Sequence, residues 1–199
     1  MVSIVWFKTD LRLHDNETLV RAMEQSNFII PLYCIDDRHF EETQFGYKKT
    51  GAFRAQFLLE SLQNLDDNLR KLGSGLMVIR GKPEVEIPKI AIKYKVEKVF
   101  TKKEIAYEEL MLHHQVEQAL WKIHIPIDVF STSTLYHAKD LPFALRDIPE
   151  VFTQFRKKVE SESIIRGVFN VPKSIKSPLI DKLILPSLSD LGLVKKKDD

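Results

Sequence analysis

The residues of this sequence best suited to chemistry are carboxylates set among apolar side chains. Between Ile105 and Leu120, the residues Ile105, Leu112, Val116, Ala119 and Leu120 recur at helical spacing. Glu109 stands four residues after Ile105 and three before Leu112, inside that stripe. A carboxylate on an apolar helix face must be paired, open onto a solvated pocket or carry a proton. Two readings of Glu109 stand. It is a ligand group that accepts N–H donors, or a helix-start acid held by the helix dipole, the role that suits its neighbour Glu108. The segment Lys8-Thr9-Asp10-Leu11-Arg12 is a second concentration of charge. Asp10 and Arg12 form either an ion pair that shapes a loop or a contact to a ligand. Pairing is favoured, because paired charges commonly serve only to fix loops. Asp36-Asp37-Arg38 carries the same two readings, with less to favour function.

Other chemistries fail on spacing. His113 and His114 are adjacent, so on a helix they point about 100° apart and cannot share a metal. No His-x-x-x-His pair, Gly-x-Ser-x-Gly elbow or Gly-x-x-x-x-Gly-Lys-Ser/Thr loop occurs, and seven glycines give a phosphate cradle little material. The single cysteine, Cys34, excludes an internal disulfide and a Cys-based zinc site, and its apolar surroundings read as core. No metal site is expected. Arg156-Lys157-Lys158 and Lys195-Lys196-Lys197 read as solvated charge runs. Trp6 reads as core and Trp121 as the close of a helix. Two distant tryptophans do not make an electron path.

The elements that position these groups follow from pattern. Thirty Lys+Arg against 28 Asp+Glu leave a net charge of +2 over 199 residues, which excludes a strongly basic nucleic-acid coat and an acidic disordered tail. With 44% hydrophobic residues the chain can build a core. It has neither a signal-peptide start nor the roughly 18 apolar residues of a membrane span, so a soluble protein of a reducing, cytoplasmic compartment is expected, with no membrane partner. The apolar runs 3–7, 28–35, 76–79, 98–101 and 125–130 read as strands buried on both faces. Asp15-Asn16 caps a first helix. Leucines at three- and four-residue steps from 51 to 72 mark a long second one that Gly73 stops, and Pro83 opens the next. The alternation predicts a three-layer α/β sandwich around a five-stranded, parallel, Rossmann-like sheet. Pro31 interrupts the second strand and is expected at a bulge or near the strand's start. If strands one and four are neighbours, Lys8–Arg12 and Lys102-Lys103-Glu104 flank the ligand crevice at their carboxyl ends. Beyond residue 131 turns lead to a short helix over 149–159. Residues past 161, with Pro172, Pro178 and Pro186, read as a linker tail that lies on something else.

Several segments together resemble the N-terminal domain of the photolyase/cryptochrome family. Val5-Trp6-Phe7-Lys8-Thr9-Asp10-Leu11-Arg12-Leu13-His14-Asp15-Asn16 is similar to the family's first strand and loop, and Pro31-Leu32-Tyr33-Cys34-Ile35-Asp36 to its second strand. Thr50–Leu62, Thr134–His137, Asp140–Phe143 and Val151–Lys157 are similar to the DASH-type cryptochromes in particular. Lys8 and Thr9 stand where the family more often has Arg and Asn. Lysine keeps the charge and loses the fork geometry.

The resemblance implies a blue-light-dependent flavoprotein, a deoxyribodipyrimidine photo-lyase that repairs pyrimidine dimers in single-stranded DNA or signals light. It implies an antenna-binding domain over 1–131, an interdomain connector over 132–160 and an extended linker over 161–199. FAD and DNA would be bound by a helical domain that this sequence lacks, so the chain alone is expected to be catalytically silent. Glu109 matches the family carboxylate that hydrogen-bonds the pterin of a 5,10-methenyltetrahydrofolate antenna. Glu108, Tyr107 and Lys103 would be its neighbours, and Gln154 and Arg156 would line the domain junction. With one wall missing, retention of the antenna is expected to be weak or absent. The face carrying Phe152 and Phe155 would then be exposed and favour self-association. Two alternatives remain: a stand-alone nucleotide- or pterin-binding module, in which the tail covers that face, and a docking scaffold for a separate helical partner.

Overall fold

In the computed structural model, which describes residues 1–194, strand β1 (Val2–Phe7) runs through the middle of a five-stranded sheet of order β3-β2-β1-β4-β5. Its neighbours are β2 (Phe28–Ile35) and β4 (Lys98–Lys102), with β3 (Met77–Arg80) and β5 (Ile127–Phe130) at the edges. All four pairings are parallel. The two-residue period of the strands divides the core. Val5 and Phe7 of β1 point to one face with Ile29 and Ile35 of β2, while Ile4 and Trp6 point to the other with Ile30, Leu32 and Cys34.

Helices α1 (Glu17–Gln25) and α2 (Ala52–Lys71) cover the first face through Leu19, Ala22, Ala55, Leu62, Leu65 and Leu69. Helices α3 (Pro83–Lys93) and α4 (Tyr107–Trp121) cover the second through Ile87, Ala91, Val116 and Leu120. The result is the three-layer sandwich that the alternation of runs and stripes requires. The helix ends have local causes. Asn16 Oδ1 accepts the Leu19 N–H at 3.0 Å and starts α1. Gly73, at φ +83°, ends α2, and the Ser74 N–H returns to Leu69 O at 3.0 Å. Buried Asp66 accepts both the Leu76 N–H at 2.7 Å and the Arg70 Nε–H at 2.8 Å, which fixes the approach to β3.

Pro31 sits at no bulge. Its register is continuous, Val5↔Pro31 between Ile4↔Ile30 and Trp6↔Leu32. By alternation its nitrogen faces the side on which Ile29 donates to Lys176 O at 2.8 Å, and pairing with β3 begins only at Leu32↔Met77. The missing N–H therefore falls ahead of the β3 ladder. Strand boundaries differ slightly from expectation: Leu76 and Ile125 are buried lead-ins rather than strand residues.

After β5 the chain passes through short turns to α5 (Phe152–Glu162), which buries Val159. Residues 164–186 contain no helix or strand. They form a strap across the chain's own α1/α2 layer. Asp15 N–H donates to Phe169 O at 2.8 Å, and Ile175 N–H to Leu72 O at 2.8 Å. Ile175, Leu191 and Leu193 are buried in the first-face core. The surface on which the tail lies is thus this domain itself. The Lys195-Lys196-Lys197 run lies outside the described residues.

Candidate functional site

The crossovers of the sheet locate the crevice. From β1 the chain moves through α1 to β2 on one side, and β4 joins the other side of β1 with α4 over the opposite face. The order reverses between β1 and β4, and ligands of open parallel sheets bind beyond the strand ends at such a point. The ends of β1 and β4 are the Lys8-Thr9-Asp10 and Lys102-Lys103-Glu104 segments, as the sequence implied for neighbouring strands.

These segments are cross-linked by charge. Lys8 Nζ lies 3.4 Å from Glu104 Oε2 and 4.4 Å from the centroid of the Trp6 ring. Burial pulls the Lys8 ammonium below its ordinary range, and the Glu104, Asp10 and Glu109 carboxylates oppose that pull. Lys102 Nζ donates to Thr9 Oγ1 at 2.7 Å, and Thr9 Oγ1 donates to Glu104 Oε1 at 3.4 Å. Buried Asp10 accepts the Lys8 main-chain N–H at 3.0 Å. Asp10 and Arg12 are not ion-paired with each other. Arg12 donates instead to His14 O at 3.1 Å and Asp15 O at 2.8 Å, with the Asp15 carboxylate 3.8 Å away. The loop is tight enough that main-chain acceptors reach the guanidinium first. Asp36 and Arg38 do pair, and Arg38 also binds Glu84 at the start of α3.

Glu109 stands in the first turn of α4, half-buried, and its carboxylate has no hydrogen-bond or ion-pair partner among the described residues. The apolar stripe around it is shorter than its spacing suggests. Ile105 precedes the helix and is 81% exposed, because β4 ends at Lys102 and no sheet lies beneath it. The inward face starts at Leu112 and continues through Val116 and Leu120. Of the other expected residues, Glu108 is exposed and pairs with Lys49, which holds its carboxyl below the usual range. Tyr107 is 77% exposed. Lys103 donates its main-chain N–H to Phe130 O at 2.7 Å and has an exposed side chain. Gln154 and Arg156 are exposed on α5, Arg156 with Glu160 at 3.8 Å, and no hydrogen bond joins them to the crevice among the described residues.

One residue at this site was weighed from the sequence only as a metal ligand and set aside. His113, one turn beyond Glu109, has a buried Nδ1 with no partner among the described residues. Burial pulls the imidazole below its ordinary pKa and the Lys8 charge adds to the effect, which favours the neutral ring. Its four-residue step from Glu109 was the available signal. The crevice thus combines a carboxylate and an imidazole nitrogen, which can accept N–H donors from a polar ring, with a buried ammonium, which can only donate. Among the described residues no group of three His, Cys, Asp or Glu side chains is placed to hold a metal.

Residues 3–174 match the sequence model of the family described as DNA photolyase. The chain belongs to that family. This photolyase-family chain is 42% identical over 191 residues to the cryptochrome DASH of Gloeobacter violaceus, covering 96% of itself and 38% of that relative. It is 40% identical to the cryptochrome DASH of Xenopus laevis, over 100% of itself and 37% of the relative. The solved cryptochrome of Synechocystis superposes with a TM-score of 0.91 at 37% identity, covering 100% of this chain and 41% of that one. The Sulfolobus tokodaii photolyase, solved with two FAD molecules, gives a TM-score of 0.72 at 25% identity, over 89% of this chain and 39% of that one. The chain therefore corresponds to the family's α/β domain and spans about two fifths of the curated relatives it matches. No helix among the described residues is long and apolar enough to cross a membrane.

Proposed function

We propose that this chain is the antenna-binding α/β domain of a DASH-type photolyase/cryptochrome, with 5,10-methenyltetrahydrofolate as its chromophore. The observation that carries the reading is Glu109: a half-buried carboxylate without a partner among the described residues, at the switch point of the sheet. A pterin ring offers an N–H and an amino group side by side, and one carboxylate can accept both. Bound there, the folate would absorb near-ultraviolet light and pass the excitation on. Tyr107, Glu108 and Lys103 would edge the ring, and Gln154 and Arg156 would face the junction with a helical domain. That domain would hold FAD and dock DNA, leaving this chain without photochemistry of its own. The domain division proposed is 1–131, 132–160 and 161–199. A reducing, cytoplasmic compartment suits the single buried thiol, Cys34.

The exposed connector face supports a helical partner over a stand-alone module. Phe152 is 72% exposed, and the strap runs over α1 and α2 instead of covering it. The test is a titration of the full chain with methenyltetrahydrofolate, followed by fluorescence. Weak binding is expected for the wild type and about tenfold weaker binding for Glu109→Gln, the loss of a charge-assisted pair. Equal affinity of the two proteins would refute the role of Glu109, and a stoichiometric folate band in the purified chain would refute weak retention. Loss of thymine dimers from single-stranded DNA, under light with added FAD, would refute catalytic silence.

A further inference from the structure

An open cavity of about 370 Å³ lies between the loop after β1, the C-terminal half of α2 and the strap. None of its lining residues belongs to the crevice group of Lys8, Glu104, Glu109 and His113. We propose that this cavity binds a small amphipathic anion, a short apolar body carrying one carboxylate.

The cavity exists because of how the strap is held. Phe169 is pinned to Asp15 by two hydrogen bonds, at 2.8 and 3.3 Å, and Ile175 is pinned to Leu72 at 2.8 Å. Between the pins, residues 170–174 make no hydrogen bond among the described residues. They bridge the groove instead of filling it, and half-exposed Val171 forms one wall. Leu11 and Leu65 supply apolar surface opposite. The volume is at the lower end of the range for small-molecule sites, which favours a short ligand.

Charge selects the sign of the ligand. Arg12 and Lys71 line the cavity and, among the described residues, no carboxylate does. Arg12 is already engaged, by Asp15 at 3.8 Å and by the His14 and Asp15 carbonyls, so Lys71 carries the freer charge. On the exposed edge of α2, Lys71 Nζ donates to Asn68 Oδ1 at 2.9 Å, and Asn68 Nδ2 donates to Asn64 Oδ1 at 3.1 Å. That relay holds the lysine beside the cavity and leaves two of its N–H donors, with the Asn64 amide N–H groups, free of partners among the described residues. Donors above an apolar floor match a carboxylate on a hydrocarbon body.

The experiment is a 1H–15N NMR titration of the full chain with octanoate, octan-1-ol and octylammonium in parallel. Octanoate is expected to shift the Leu72 and Val171 amides and the Asn64 and Asn68 side chains, with octanol weaker and octylammonium silent at those positions. Lys71→Gln, at an exposed site, should weaken octanoate about fivefold while leaving the urea midpoint unchanged. Octanol binding as tightly as octanoate, shifts confined to other surfaces, no shifts at all, or unchanged affinity in Lys71→Gln would each overturn the assignment.

Discussion

The Lys8 ammonium lies 3.4 Å from the Glu104 carboxylate, and only 7% and 15% of the two side chains meet solvent. Lys8 follows β1 and Glu104 follows β4, so the pair ties the two strand ends across the crevice. Neither charge has water enough to be left alone. Lys8→Met should cost about 3 kcal/mol, because it strands a buried carboxylate. The double change Lys8→Met with Glu104→Leu should cost less than the two single changes summed. Urea unfolding of the four proteins measures this, and strict additivity would show that the charges do not depend on each other.

A second ion group is expected to contribute to the acid limit of the fold. Burial raises the Asp36 carboxyl, but the side-chain and main-chain hydrogen bonds from Arg38 and its charge outweigh that, and the net position is below the ordinary value. A carboxyl depressed in the folded state adds stability that is present above its unfolded pKa, about 3.9, and is lost as pH falls through the lower folded value. Stability should therefore decline below about pH 4 in the wild type. Asp36→Asn should be less stable at neutral pH and show a flatter acid limb. Parallel acid limbs in the two proteins would remove Asp36 from the account.

The layers of this fold were legible because their signals are periodic. Val5 and Phe7 against Ile4 and Trp6 report a strand covered on both faces, and Leu62, Leu65 and Leu69 report the face of α2 that covers one of them. Asn16 and Gly73 punctuate helices by local chemistry that needs no tertiary context. What was hidden depends on distant chain. Ile175, Leu191 and Leu193 enter the core from a segment with no period, so their burial leaves no pattern. Pro31 is tolerated because of where β3 starts, a fact held by Met77 and not by β2. Ile105 kept the spacing of the α4 stripe but lost the sheet beneath it. At the crevice, Glu109 was singled out by its helical spacing, while the strand ends could be placed from topology. The orphaned Nδ1 of His113 could not, since burial of one atom is a property of the packed structure.

The strap makes the next expectation quantitative. Ile175 is buried in the first-face core while Leu179, four residues on, is almost wholly exposed. Ile175→Ala should destabilise by about 2–4 kcal/mol, as a large-to-small change in a core does, whereas Leu179→Ala should stay within about 0.5 kcal/mol. Both are measured by urea unfolding of the full chain. A negligible effect at Ile175 would mean that the strap rests on the domain without belonging to its cooperative unit.

The last expectation concerns the connector face. Phe143 and Phe152 flank Phe155, with ring centroids 5.7 and 6.4 Å from it, and Leu145, Ile148 and Val151 stand exposed in the same segment. Phe143 and Phe155 are partly buried, whereas Phe152, Leu145, Ile148 and Val151 stay exposed, and apolar surface of this kind gains free energy when it leaves water. Without a helical partner, the surface open to it is that of a second copy. The chain should therefore show a light-scattering mass that rises with concentration, and it should do so more strongly in a salting-out buffer such as sulfate, which strengthens apolar burial. Phe152→Asp with Val151→Asp should hold the mass at that of one chain. Both positions are solvent-facing, so the urea midpoint should move little. An invariant monomer mass for the wild type, or association undiminished by the two aspartates, would place the contact elsewhere and withdraw this face as the partner's seat.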